Sequence, residues 1–283
     1  MSAIRSLLVH IDASARAEER LRVALGLARE HRAELTAMYA VSSIAAEFPF
    51  AMVGDPTATA ALLDAETEIR QRARATFDRV AAESDARPAW VEIDLQPERA
   101  VSRQARYADL LVLGQQEPGT ESSDGLSRRF VESVLIDSGR PALVVPFVGR
   151  PSSGPIGKVA VVAWKNTREA ARALGASLAL LRRSERVHVV CWDEESGDER
   201  TDETGGPLDI EHYLGLHGIV ATMHRHRSMP GDIGDALLSF AADISADLLV
   251  MGCYGHGRAR EWVLGGATRS VLRSMTLPVL LAH

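Results

Sequence analysis

The sequence lacks the features that mark secreted, membrane and nucleic-acid-binding proteins. Its two cysteines, Cys191 and Cys253, are too few for a disulfide framework. Its longest apolar runs have the length of strands and fall well short of the roughly 20 residues of a membrane span. The first apolar run ends at Asp12 and does not have the layout of a signal peptide. The formal net charge is −6, whereas nucleic-acid-binding domains usually carry a basic face. We therefore expect a cytoplasmic protein that binds neither nucleic acid nor membrane.

An internal repeat organises the chain. ADLLVLG at 108–114 returns as ADLLVMG at 246–252, and a segment starting SVL at 133 returns at 270. Between the copies lies a segment rich in proline, glycine and serine, which is typical of a linker. The sequence therefore predicts a first domain at 1–148, a linker at 149–156 and a second domain at 157–283.

Strand and helix patterns alternate within each copy, and the strands are apolar on both faces. Such strands indicate a parallel sheet covered by helices on both sides, and right-handed crossovers make it doubly wound. The fold class is predicted as α/β, with two tandem doubly wound, five-stranded, Rossmann-like domains. The first strand is expected between the second and the fourth. In the second domain this order places Cys191 and Cys253 roughly 10 Å apart, too far for a disulfide.

A glycine-rich segment follows the fourth strand of the second domain and leads into a helix. Gly252, Gly255, Gly265 and Gly266 lie in it, and Thr268 follows. Glycines allow the backbone to approach a ligand closely, and a helix N-terminus attracts anions such as phosphate. In doubly wound folds ligands bind beyond the carboxyl ends of the strands. The alternative is a crossover whose glycines only permit tight packing.

This segment resembles the nucleotide-binding signature of the universal stress protein family. The signature is glycine, two residues, glycine, nine residues, glycine and a small hydroxyl residue. Gly252, Gly255 and Gly265 fall on the three glycines, while Gly266 stands where the ATP-binding members have serine or threonine. With its repeat, the whole chain resembles the tandem members of this family. The resemblance implies an adenine nucleotide alpha hydrolase-like fold and a cytoplasmic, dimeric or pseudo-dimeric stress-response protein.

The resemblance also implies a ligand and the residues that bind it. The expected ligand is an adenine nucleotide, ATP or AMP, with or without Mg²⁺. The predicted binding residues of the second domain are Gly252, Gly255, Gly265, Gly266, Ala267, Thr268, Lys165, Cys191 and Trp192.

The two copies depart from the family pattern in different ways. The family's first strand usually ends in an acid near the ribose and phosphates, which is Asp12 in the first copy and Lys165 in the second. A lysine cannot accept a ribose hydrogen bond or hold Mg²⁺, but it can pair with a phosphate. Trp192 either stacks on the base or fills the pocket. In the first copy only Gly114 aligns with a signature glycine, and Glu117, Glu121 and Asp124 after it would repel phosphate, so the nucleotide is predicted in the second domain.

Three functions remain open at this point. The first is nucleotide binding that regulates conformation or the binding of unknown protein partners, and the second is an interaction module without a nucleotide. The third is an enzyme acting on a nucleotide or another phosphorylated metabolite, although no catalytic arrangement follows from spacing. The family resemblance implies pseudo-two-fold pairing of the domains through 141–146 and 278–282, and a homodimer. We interpret His224 and His226 as part of an exposed strand and not as metal ligands.

Overall fold

A computed structural model describes eight stretches of the chain. They are residues 4–41, 56–116, 126–127, 129–149, 154–193, 209–227, 232–253 and 266–283. The chain divides into two compact units, with Ile4–Phe147 in one and Val148–His283 in the other. A search of the described residues finds no helix with the length and apolar character of a membrane span.

The first unit alternates strands and helices along the chain. Its elements are β1 (Ser6–Ile11), α1 (Ala17–His31), β2 (Glu34–Val41), α2 (Pro56–Ala82), β3 (Ala89–Asp94), α3 (Pro97–Ala105), β4 (Leu110–Gly114), α4 (Phe130–Ser138) and β5 (Ala142–Val145). The strands are parallel and lie in the order β3-β2-β1-β4-β5. β4 and β5 are buried along nearly their whole length, which explains their continuous apolar sequence.

The second unit repeats this arrangement. Its elements are β6 (Val159–Trp164), α5 (Arg168–Leu181), β7 (Arg186–Asp193), α6 (Ile210–Leu216), β8 (Ala221–Arg227), α7 (Ile233–Asp243), β9 (Leu248–Gly252), α8 (Gly266–Ser274) and β10 (Val279–Ala282). The strands are parallel in the order β8-β7-β6-β9-β10. The predicted doubly wound fold is confirmed, and so is the first strand's position between the second and the fourth. Neither Cys191 nor Cys253, both in the described part of the chain, forms a disulfide.

The repeated Ala-Asp pair before the fourth strand has a structural role in both units. In the first unit, a carboxylate oxygen of Asp109 accepts hydrogen bonds from the backbone N–H groups of Arg5 (2.8 Å) and Ser6 (3.1 Å). In the second unit, Asp247 accepts from Lys158 (3.1 Å) and Val159 (2.8 Å). Each aspartate therefore joins the amino ends of the two central strands and fixes their register.

The sequence pattern predicts the second and third strands of this unit at 186–191 and 220–225, and the observed strands β7 and β8 each end two residues later. Cys191 and Trp192 were expected at and just after the end of the second strand, but both lie inside β7, which continues to Asp193. Hydrogen bonding to the edge strand β8 keeps this segment extended as far as the pair Asp193 and Arg227. The apolar pattern ends before these residues, because Asp193, His226 and Arg227 are polar and Trp192 alone does not continue it.

Candidate functional site

The described members of the predicted site lie towards the carboxyl edge of the sheet of the second unit. β6 ends at Trp164, so Lys165 is the first residue beyond it, and β9 ends at Gly252. These strands are neighbours and lie where the winding of the sheet reverses. Because β9 and β10 are parallel, α8 must run back across the sheet, and its first residue, Gly266, lies towards the same edge. Cys191 is opposite Trp164 in the neighbouring strand.

Gly252 is needed for the packing of a helix against the sheet. A Cβ atom added at this position would lie 2.5 Å from the backbone nitrogen of Ala170 and 2.6 Å from the carbonyl carbon of Glu169. Both are backbone atoms at the start of α5, so they cannot move aside as a flexible side chain does. Any larger residue would push α5 away from β9. This requirement holds whether or not a ligand binds.

The first turn of α8 has the properties of an anion site. The first N–H groups of a helix have no partner within the helix, and its N-terminus carries a partial positive charge. The turn contains no acidic residue that would repel an anion. Gly266 is exposed, and a Cβ added there would meet no atom of the described residues within 4 Å. Ala267 is half-buried and Thr268 is buried, so the turn is open at its first residue and anchored at its third.

Helix α7 holds α8 in place close to this turn. Asp232 caps α7 by accepting a hydrogen bond of 2.7 Å from the N–H group of Gly234, and it also accepts one from the hydroxyl of Ser270 in α8. The Ser270 hydrogen bond lowers the pKa of Asp232 below its usual range, so this carboxyl group stays ionised. A Cβ on Gly234 would lie 2.7 Å from the carbonyl oxygen of Ala267, so the helices approach very closely here.

A buried acid lies at the start of α5, next to the predicted site. Thr167 caps this helix, and its side chain accepts a 3.3 Å hydrogen bond from the N–H group of Ala170. Glu169 is buried and paired with Arg168. Burial raises the pKa of Glu169, but hydrogen bonds, that from Arg168 foremost, outweigh it and leave the pKa lowered. Burial and the nearby Glu169 raise the pKa of Cys253, so this thiol is protonated at neutral pH.

Sequence reasoning did not identify Glu169, Asp232 or Ser270. An acid in the first turn of a helix is commonly a solvated residue that complements the helix dipole, so Glu169 carried no distinguishing signal. The Asp232–Ser270 contact joins two helices that are far apart in sequence, and no local pattern reports it. Within the described residues, no group of three or more histidine, cysteine, aspartate or glutamate side chains is placed to hold a metal ion.

Part of the predicted site lies outside the described residues. Gly255 and Gly265 belong to the undescribed segment 254–265, and the side chain of Trp192 is not described either. Their predicted contacts with a nucleotide stay predictions. The two interpretations of Trp192, base stacking and pocket filling, both remain open.

The corresponding edge of the first unit is filled by a compact ionic cluster. Asp12 follows β1 directly, and its carboxylate forms a 2.7 Å ion pair with Nη2 of Arg20, a residue of α1. Nε of Arg20 donates a 2.6 Å hydrogen bond to the carbonyl oxygen of His10. The ring of Phe130, the first residue of α4, packs against the ring of His10 with a centroid distance of 4.6 Å. His10, Arg20 and Phe130 are only 1%, 3% and 3% exposed.

The cluster has a strong electrostatic signature. Burial raises the pKa of Asp12, but the charge of Arg20, with smaller contributions from His10 and Ser14, outweighs burial and lowers the pKa to about 2. Burial lowers the pKa of His10 to about 4. The charge of Asp12 raises this pKa and that of Arg20 lowers it, and both effects are smaller than that of burial. Neither ring nitrogen of His10 has a hydrogen-bond partner among the described residues. At neutral pH the cluster therefore holds an ionised aspartate, an arginine and a neutral histidine.

The expectation of an exposed histidine strand at β8 is wrong for its central residue. His224 is half-buried, and its Nε2 lies 2.9 Å from Nδ1 of His188 in β7. Phe240 of α7 packs edge-on over His224 with a centroid distance of 4.8 Å and also faces His226. The two histidines of β8 therefore lie on one side of the sheet, as their spacing predicts, but α7 covers that side.

Comparison with known proteins places these features in a family. Residues 158–283 match the model of the universal stress protein family. The second unit belongs to this family. A universal stress protein from Synechocystis sp. is 42% identical over 50 residues, which is 18% of this chain and 17% of that protein. The chain therefore matches only a small part of that relative's length.

Two solved structures share the fold along nearly the whole chain. A universal stress protein from Archaeoglobus fulgidus DSM 4304 has a TM-score of 0.68 and 19% identity, with 98% of this chain and 97% of that chain covered. A functionally unknown protein from Pseudomonas aeruginosa PAO1 has a TM-score of 0.58 and 16% identity, with 99% and 92% covered. The likeness extends over both units, so the universal stress protein fold occurs twice in this chain.

Proposed function

We propose that this chain is a cytoplasmic, tandem universal stress protein whose second domain, residues 157–283, binds an adenine nucleotide, ATP or AMP. Occupancy of the site regulates the conformation of the protein or its binding of protein partners. The first domain, residues 1–148, binds no nucleotide. The observation that carries the proposal is the acid-free first turn of α8, which lies towards the same edge as Lys165 and Gly252.

Two positive features at this edge favour the phosphates of a nucleotide and act against the ionised carboxylates of Glu169 and Asp232 nearby. The N-terminus of α8 supplies backbone donors and a partial positive charge, and Lys165 supplies a full charge on a flexible stem. Lys165 is half-buried, so water screens its charge less than that of an exposed lysine. Because a lysine occupies the family's acidic position, we expect direct contact between Lys165 and a phosphate. Mg²⁺ is then not required for binding.

Calorimetric titration of the purified full chain with ATP and with AMP, each with and without Mg²⁺, tests the proposal. We expect binding heat for one nucleotide per chain and little change on adding Mg²⁺. Gly255→Val is expected to abolish the heat, because it places a bulky side chain at a glycine of the signature that this segment resembles. The matched control is Gly119→Val in the corresponding segment of the first repeat, which should bind like the unmodified chain. Absence of heat at sub-millimolar ligand would contradict nucleotide binding.

The filled edge of the first unit favours a second role, in which the first domain serves assembly. The pseudo-two-fold pairing through 141–146 and 278–282, and the homodimer, belong to this part of the proposal. Light scattering coupled to size-exclusion chromatography measures the mass of the particle in solution. A mass of one chain at all concentrations would contradict the homodimer and leave nucleotide binding unaffected.

A further inference from the structure

The two units differ in side-chain size at three equivalent positions around the switch point. His10 and Ala163 are equivalent by the shared register of the first and fourth strands, and Phe130 and Ala267 by their distance from the repeated Ser-Val-Leu segment. Arg20 and Ala173 each lie ten residues after the first of these pairs. The first unit has large side chains at all three positions, and the second unit has alanine at each. The pairs are His10 and Ala163, Arg20 and Ala173, and Phe130 and Ala267.

Arg20 bridges the two strands between which a doubly wound fold places its ligand. Its guanidinium contacts the carbonyl oxygen of His10 and the carboxylate of Asp12, at and just beyond the end of β1. It also covers the end of β4, since a Cβ added at Gly114 would collide with its Nη1 atom. The guanidinium therefore spans the carboxyl ends of β1 and β4 from inside the protein.

Phe130 and His10 close the remaining space beside Arg20. Phe130 begins α4, the helix equivalent to α8, so its ring lies at the helix start where an anion would approach in the second unit. It packs against the His10 ring, and both side chains are buried. Because interiors are close-packed, these three buried side chains leave no space among the described residues for a ligand of similar size.

We infer that the first domain is closed by its own side chains: Arg20, with His10 and Phe130, occupies the switch-point cleft and takes the place of a ligand there. Asp12 pairs with Arg20 and is thereby unavailable to a ribose or a cation. The second domain has alanine at the three equivalent positions, so no side chain corresponding to His10, Arg20 or Phe130 occupies its cleft. The inference for the second cleft rests on the proposed function, but the closure of the first does not.

Modification of histidines by diethyl pyrocarbonate, read out by peptide mass spectrometry, tests the closure without any nucleotide. His212 is exposed in the same chain and serves as the internal reference. We expect His10 to react at least about tenfold more slowly than His212, because the buried ring reacts only after a local opening that costs more than about 1.4 kcal/mol. Equal rates for the two histidines would overturn the inference.

Two matched variants show whether the protection is local. Phe130→Ala removes the ring that covers His10, whereas Phe77→Ala removes a buried ring that packs on Trp90 in the same unit. Both variants lose a core phenyl ring, so both are destabilised to a similar degree. Global unfolding should therefore accelerate the modification of His10 equally in the two variants. We expect a further acceleration of about tenfold in Phe130→Ala alone, the equivalent of 1.4 kcal/mol. Equal acceleration in the two variants would overturn the local closure.

Nucleotide stoichiometry separates this inference from the proposed function. Equilibrium dialysis with radiolabelled ATP is expected to give one site per chain. The triple variant A163H/A173R/A267F, once circular dichroism has shown that it is folded, is expected to give none. Two sites per chain in the unmodified protein would overturn the closure and keep nucleotide binding. No site in the unmodified protein, together with a protected His10, would refute nucleotide binding and support the closure.

Discussion

Acidification from pH 6.5 to pH 4 is expected to destabilise the first unit through His10. Burial lowers the pKa of this ring from 6.5 to about 4 in the folded protein. The unfolded chain therefore takes up the proton first, so stability is complete above pH 6.5 and is lost as the pH falls towards 4. The difference of about 2.5 pKa units corresponds to roughly 3 kcal/mol, a large part of the stability of one domain.

Asp12 does not contribute to this window. Its folded-state pKa is about 2, against an ordinary value of 3.8. The stability that it provides is present above pH 3.8 and is lost only as the pH falls from there towards 2. Any change in the free energy of unfolding between pH 6.5 and pH 4 that arises from this cluster is therefore due to His10.

Urea unfolding at several pH values between 7 and 4 measures the effect. Replacement of Trp164, Trp192 and Trp262 by phenylalanine leaves Trp90 as a fluorescent reporter of the first unit. In this background, His10→Ala is expected to remove about 3 kcal/mol of the stability loss on acidification.

His212→Ala is the control for an exposed histidine and should keep the full slope of the parent. The comparison is between slopes, so any loss of packing in His10→Ala affects all pH values alike. If His10→Ala keeps the pH dependence of its parent, His10 does not titrate in the buried state that the structure describes.

The other predictions concern single contacts. Arg20→Met is expected to lower the free energy of unfolding by about 3–5 kcal/mol in urea titrations, because it leaves the Asp12 carboxylate buried and unpaired. Adding Asp12→Asn should recover most of that loss, and no recovery would contradict the ion pair. Asp247→Ala should cost about 2–4 kcal/mol by the same measurement, because two backbone N–H groups lose their charged acceptor, and a change below 0.5 kcal/mol would contradict this role. Gly252→Ala should lower the melting temperature, since its Cβ meets the backbone of α5, and an unchanged value would contradict that contact. Lys165→Ala should weaken ATP binding about tenfold or more in calorimetry and AMP binding less, and an equal loss would argue against contact with the outer phosphates.

The fold was predictable because its signals are local and repeated. Buried strands such as β4 and β9 are continuous apolar runs, and their alternation with helices predicts a doubly wound sheet with its characteristic strand order. The ends of β7 and β8 were missed because pairing between polar residues, and not hydrophobic pattern, keeps them extended.

The candidate site was only partly predictable. Lys165 and Gly252 lie at the predicted edge because strand ends determine their position. Arg20 interrupts the apolar stripe of α1, but its role was not predicted. Its partner Asp12 follows β1, and the contact between them is known only once β1 is placed beside the helix. The sequence did not mark His10 as a site residue, since a single polar residue in an apolar strand is also typical of an edge strand or a bulge.

The two edges of the sheet have different roles in this protein. At the amino edge, Asp109 and Asp247 make the same pair of hydrogen bonds in the two units, and these bonds set the register of the central strands. At the carboxyl edge, Asp12 and Lys165 occupy equivalent positions with opposite charges, and the surrounding side chains change from large to small. Because the register is held at the far end of the strands, the carboxyl edge can change its chemistry without changing the fold. One unit has therefore closed this edge with an internal arginine, and the other has a lysine and an acid-free helix start towards the same edge.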